Sequence, residues 1–104
     1  PHKHFRLEGR DVFLIVPISP WEAALGVKTS VPTLSGVVNL NIPAGTNNGK
    51  KMRLKGKGLP GSTNGDQYVE LQLTMPSELS QEALDLLRQL GETTSFDPRE
   101  SLSV

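Results

Sequence analysis

The sequence predicts a mainly β domain, a small antiparallel β-sandwich or barrel-like fold with one short helix and a C-terminal helix. Three observations carry that reading. Apolar residues recur with period two, as in Val38, Leu40 and Ile42 set against Asn39 and Asn41, or Val69, Leu71, Leu73 and Met75 set against Tyr68, Glu70, Gln72 and Thr74. Clusters of Gly, Pro, Asn and Ser separate these runs. Helical signals are confined to a short stretch after Ser19 and a longer one after Ser80.

Taken in order, Asp11 to Val16 is a run rich in β-branched and aromatic side chains, bounded by Gly9 and Pro17, and reads as a central strand. Ser19-Pro20-Trp21-Glu22 combines an N-cap serine, a proline at the first helical position and a glutamate at the third, which together form a capping box. Gly26 should stop that helix after Leu25. Val27 to Leu34 and Val37 to Ile42 then flank Ser35-Gly36, a two-residue loop suited to a tight hairpin. Pro43 to Gly49 is turn-rich, and Lys51 to Lys55 alternates again, with Met52 and Leu54 facing inward. Ser80 caps a helix predicted over Gln81 to Leu90, which Gly91 should end, with Ala83, Leu84, Leu87 and Leu90 as its apolar stripe. The tail from Thr93 to Val104 is polar apart from Phe96, Leu102 and Val104.

At 104 residues the chain is one domain's worth of sequence, long enough to bury about two-thirds of its unfolded surface. The absence of cysteine excludes disulfides and thiolate metal sites. No apolar run reaches the length of a membrane span, so the expected setting is cytoplasmic with no membrane partner. The opening Pro1-His2 in place of an initiator methionine marks the chain as an expected fragment. Eleven basic residues balance eleven acidic ones, but they are segregated. Lys50, Lys51, Arg53, Lys55 and Lys57 lie together without an acid, whereas residues 78–104 carry six acids against two bases.

Catalytic chemistry finds little support. Gly56-Lys57-Gly58-Leu59-Pro60-Gly61 matches G-x-G-x-x-G, yet a dinucleotide fingerprint needs a buried strand before it and a helix after it, and neither is predicted. His2 and His4 could begin a zinc site, but no further His or Cys supplies a third ligand, and no cofactor or metal is expected. A serine nucleophile lacks a base, and Asp66 with Glu70 reads as two solvated carboxylates on a wet strand face. The chain reads as a binding module, not an enzyme. Lys51, Arg53 and Lys55, with Lys57 beyond, could neutralise the phosphates of duplex DNA, although the plainer role of such lysines is to keep an edge strand soluble.

The ordered set Phe5-Arg6 with Gly9, Glu22-Ala23-Ala24-Leu25-Gly26, Thr33-Leu34-x-Gly36, Gly56-x-Gly58-Leu59-Pro60 and Gly65-Asp66 resembles the second C-terminal β domain of DnaJ-type co-chaperones, from Pro1 to Pro76. The cysteine-free bacterial branch called curved-DNA-binding protein is the nearest likeness, and Ser95-Phe96-Asp97-Pro98-Arg99 resembles the end of that branch. The resemblance implies three segments: 1–8 as the end of a preceding domain or linker strand, 9–78 as the β domain, and 79–104 as a C-terminal helix and dimerisation tail. It implies binding of unfolded or partly folded polypeptides along a sheet edge or shallow groove, for delivery to a DnaK-type chaperone. The J domain that would meet DnaK is not in this sequence. By position, Val12, Phe13 and Leu14 are the expected client contacts, and Phe5 resembles an aromatic that closes the pocket of the preceding domain. A homodimer joined through Leu84, Leu87, Leu90 and Phe96 is implied as well. Duplex DNA, through Lys51, Arg53, Lys55 and Lys57 and with it nucleoid association, is the alternative.

Overall fold

The computed structural model describes residues 5–59 and 64–102. Two sheets face one another. The larger has strands β1 (Phe5–Glu8), β2 (Asp11–Ile18), β5 (Lys51–Leu54) and β6 (Gln67–Leu73) in the order β1-β2-β6-β5. The smaller is the hairpin of β3 (Val27–Thr33) and β4 (Gly36–Ile42). Helix α1 (Pro20–Leu25) links the sheets, while α2 (Gln81–Thr93) and a 3-10 turn (Glu100–Leu102) follow them. Three of the four strand pairings are antiparallel, whereas β2 and β6 run parallel, from Val12 opposite Gln67 to Ile18 opposite Leu73. The sheets are thus mostly antiparallel, as expected; alternation along a strand states which face is apolar and says nothing of the neighbour's direction, so the parallel pairing at the centre is not legible in it.

The core lies between the sheets. Ile18, Val69 and Leu71 from the large sheet meet Val31, Leu40 and Ile42 from the hairpin, with Ala23 of α1 at one side. Each fully buried aliphatic side chain contributes about 1.5–3 kcal/mol by leaving water. Gln67 also points into this core without any exposure, donating from Nε2 to the Pro32 carbonyl at 2.9 Å and so tying β6 to β3. Among the described residues its Oε1 has no hydrogen-bond partner. A buried polar residue on an apolar face is what alternation reasoning misses, because glutamine there looks like a turn residue before the strand.

Local signals read from sequence hold with small shifts. Both halves of the capping box form, Glu22 N–H donating to Ser19 Oγ at 3.2 Å and Ser19 N–H to Glu22 Oε1 at 2.9 Å. Gly26 has φ +83°, and the open carbonyl of Ala23 accepts from Gly45 and Thr46 N–H, both at 2.9 Å. The hairpin loop is Leu34-Ser35, one residue earlier than predicted, since Gly36 still pairs with Thr33 and the Thr33 hydroxyl holds the Gly36 carbonyl at 2.6 Å. On β6 the inward face ends with Leu71, for Leu73 and Met75 lie beyond the hairpin's cover and are exposed. Gly91 does not stop α2, which runs on to Thr93. A side chain there would meet nothing, and glycine at a solvated helical position costs only about 1 kcal/mol. Among the described residues no helix is long and apolar enough to cross a membrane.

Candidate functional site

A cavity of about 660 Å³ opens beside β2, its walls including Phe5, Phe13, Leu14, Val31, Pro32 and Tyr68. Among the described residues the β1–β2 pairing begins at Phe5 opposite Leu14, and the cavity continues along Ile15, Val16 and Pro17. The pleat assigns the expected contact residues to different duties. Phe13 is half-buried on the outer face, and Leu14 reaches the cavity while 5% exposed. Val12 is 0% exposed and packs inward, so it offers a ligand no surface. Ile15, 56% exposed, extends the apolar surface that Phe13 starts.

Two residues that sequence reasoning passed over complete this wall. Arg6, Phe13, Tyr68 and Arg53 stand in one cross-strand row through β1, β2, β6 and β5. The Phe13 and Tyr68 rings stack with centroids 5.2 Å apart and planes 16° apart, and the Arg6 guanidinium lies 4.8 Å from the Phe13 centroid. The stack is worth about 0.5–1.5 kcal/mol and the cation about 0.5–1 kcal/mol at a partly exposed site. Together they hold the Phe13 ring upright at the mouth of the cavity. Tyr68 was legible as an outward residue, but its contact with Phe13 depends on the parallel register.

The basic strand is less free than its sequence. Lys51 and Arg53 do project outward from β5, but Lys51 stands opposite Glu70, and Arg53 donates from Nε to Asp66 Oδ2 at 2.7 Å with Nη2 also 2.7 Å away. Lys55 and Lys57 fall after the strand, in the turn around Gly56. Asp66 is therefore engaged by a cation of the neighbouring strand, while Glu70 stands opposite Lys51 in register. The Gly56 N–H donates to Asp66 Oδ1 at 2.9 Å, and this bond, with Arg53, holds the Asp66 carboxyl below its ordinary value of 3.8. A depressed folded value means stability that is present above the unfolded value and lost as pH falls through the folded one. Acid titration of the urea midpoint below about pH 4 should accordingly fall less steeply in Asp66→Asn than in the parent. Identical acid limbs would remove Asp66 from the account.

Gly56 takes φ +76°, a left-handed turn after β5. Gly58 and Gly65 are needed for space: a Cβ on either would overlap the Arg10 carbonyl oxygen. Leu59 N–H donates to that oxygen at 2.8 Å, Gly58 N–H to the Gly65 carbonyl at 2.9 Å and Gly65 N–H to the Leu59 carbonyl at 3.1 Å. The stretch after β5 is thus stitched to the β1–β2 turn, and the next described element is strand β6, so among the described residues no helix N-terminus is presented to a pyrophosphate. Pro60 and Gly61 lie outside the described residues, as do His2 and His4. Among the described residues no three His, Asp or Glu side chains converge on a metal position.

Helix α2 carries the remaining predicted site. Ser80 Oγ accepts from Ala83 N–H at 3.1 Å as its N-cap. No residue of α2 is buried: Leu84, Leu87 and Leu90 are 42%, 38% and 58% exposed, and Phe96 beyond it is 76% exposed. Among the described residues, nothing buries this stripe.

The DnaJ C terminal domain family matches residues 1–76. Proteins named curved DNA-binding protein are 50% identical over 102 residues in Coxiella burnetii, covering 98% of this chain and 33% of the relative. In Escherichia fergusonii the identity is 46% over 101 residues, covering 95% and 33%. In Pseudomonas syringae pv. tomato it is 43% over 101 residues, covering 95% and 32%. The chain spans about a third of the length of these relatives. With a family match across both sheets and the glycine-stitched turn, the chain belongs to the DnaJ C-terminal domain family of DnaJ-like co-chaperones.

Proposed function

We propose that this chain is the client-binding and dimerising part of a DnaJ-like co-chaperone, holding extended apolar segments of unfolded polypeptides in the cavity beside β2. The observation that carries this is the cavity's wall, where Phe5, Phe13 and Leu14 come together with Tyr68 and Pro32 in a groove of a size suited to side chains. Main-chain pairing along a strand tolerates any sequence, and an apolar wall adds preference for segments a folded protein would hide. This is a binding task, with no reacting group required. Transfer to a DnaK-type chaperone would depend on a J domain, whose His-Pro-Asp motif does not occur in these 104 residues.

The test is suppression of aggregation of a chemically denatured protein. Phe13→Ser removes the ring between Arg6 and Tyr68, and should lower the suppressing activity several-fold while circular dichroism stays that of the parent. Full activity in a folded Phe13→Ser variant would refute the site.

Self-association is the second part of the reading, supported by the bare leucine stripe of α2, which is self-complementary in the manner of a two-fold interface. Sedimentation should show a dimer at micromolar concentration, and Leu87→Asp with Leu90→Asp should weaken it at least a hundredfold by placing unpaired charge in the contact. A parent chain that sediments as a monomer would move the interface elsewhere.

Association with duplex DNA is the alternative, supported by the segregated bases of residues 50–57 and by the name the relatives carry. It predicts affinity that falls steeply with added salt.

A further inference from the structure

Strand β5 closes one side of the large sheet, and no strand lies beyond it among the described residues. Its start is set by a bulge. Gly49 N–H donates to the Leu71 carbonyl at 2.7 Å and Leu71 N–H to the Lys50 carbonyl at 2.8 Å, so Gly49 and Lys50 together oppose Leu71, with Gly49 at φ +86°. Bonded and non-bonded pairs alternate along an antiparallel ladder. From the Lys50–Leu71 pair onward, Met52 and Leu54 therefore turn their main-chain groups to β6, and Lys51 and Arg53 turn theirs outward. Among the described residues nothing pairs with those outward groups.

An unpaired edge can template a further strand, and its side chains state which strand would fit. Lys51 and Arg53 are exposed on the outer face, with exposed Lys50 and Lys55 on either side. Arg53 is held by Asp66, whereas Lys51 is in no ion pair among the described residues, and Glu70 faces it in register only. On the inner face Met52 and Leu54 are half-buried against the core. A second copy of β5 is a poor occupant, because antiparallel pairing of this edge with itself would set cations opposite cations. A strand with acids opposite Lys51 and Arg53, and apolar side chains opposite Met52 and Leu54, meets charge on one face and extends the core on the other.

We propose that the free edge of β5 takes an extended acidic segment of another polypeptide, in which Asp or Glu alternates with aliphatic residues, as a further strand of the large sheet. The outward N–H and C=O of Lys51 and Arg53 supply the main-chain bonds, and Lys51 supplies the preference for acid. The same lysine that repels a second copy attracts this partner. The edge lies two strands from β2, although the Lys51 side chain also borders the cavity there. The assignment goes beyond the client reading and does not depend on it. Duplex DNA could meet the same cations, but it has no main-chain amides and carbonyls to pair with the edge, and this favours a peptide.

The test is amide hydrogen exchange of the 104-residue chain with the peptide Glu-Val-Glu-Val-Glu-Val. With peptide at about ten times its Kd, exchange of the Lys51 and Arg53 amides should slow about tenfold, while Lys-Val-Lys-Val-Lys-Val should leave them unchanged. Lys51→Glu should weaken the acidic peptide about tenfold and admit the basic one, since an attractive cross-strand pair becomes a repulsive one. Lys51 is an exposed edge position, and the exchange measurement on the parent chain stands without the variant. Binding of the acidic peptide with no slowing at Lys51 and Arg53, protection of Phe13 and Tyr68 in their place, or equal protection by a duplex DNA would each overturn the assignment. So would absence of binding at millimolar peptide.

Discussion

Gly65→Ala is expected to destabilise the domain by on the order of 3 kcal/mol, through the meeting of three backbone segments at the Arg10 carbonyl. The new methyl would overlap the carbonyl oxygen and carbon of Arg10, and backbone on both sides is pinned by hydrogen bonds from Leu59 and to Leu59. Relief requires the β1–β2 turn to move away, which breaks the Leu59–Arg10 bond and loosens the Asp11–Asp66 contact beside it. A loss of that size lowers the thermal midpoint by roughly 15 °C in a domain of this length. Gly9→Ala is the internal control. Gly9 has φ +60° but open space around it, so only the left-handed backbone term of about 1 kcal/mol applies. Equal midpoints for Gly65→Ala and the parent would show that the turn is free to shift.

Leu71→Ala should be comparably severe, at about 2–5 kcal/mol, for a different reason. Leu71 is 0% exposed at the centre of the inter-sheet core, and its backbone accepts from Gly49 N–H at 2.7 Å while its own N–H donates to Lys50 at 2.8 Å. With the backbone held at both groups, the strand cannot collapse into the space the side chain leaves. Leu73→Ala, two residues on and 38% exposed, should cost about 1 kcal/mol or less. The contrast between two leucines of one strand, read from urea midpoints, separates core filling from strand propensity. Similar losses for both would place the core elsewhere.

Much of this was open to sequence reasoning because it is local. The capping box of α1, the strand faces of β4 and β5, the N-cap of α2 and its leucine stripe depend on residues within a few positions of one another. What stayed hidden depends on partners far along the chain. Phe13 could be named as a contact residue, but its lodging between Arg6 and Tyr68 needs the parallel register of β2 with β6. Val12 shared the apolar run with Phe13, and only the direction of the pleat separates a core residue from a cavity wall. Arg53 read as part of a basic row because the acid that pairs with it, Asp66, sits 13 residues away. Gly58 and Gly65 looked like turn residues; their need is for space beside a backbone that no spacing rule connects to them.

The parallel pairing at the middle of the large sheet bears on the order in which the molecule assembles. Asp11 and Asp66, which begin the seam between β2 and β6, are 55 residues apart. Closing a loop of that length costs roughly 3.5 kcal/mol of chain entropy beyond a constant, whereas the β3–β4 hairpin closes across two residues. Contacts of long sequence separation form late and slow the folding of β-rich domains. This predicts that the hairpins precede the seam and that the Phe13–Tyr68 stack, which straddles it, forms with the last closure. The apolar wall at the cavity mouth is therefore a property of the finished domain alone, and the single tyrosine of the chain is a natural reporter of that final step.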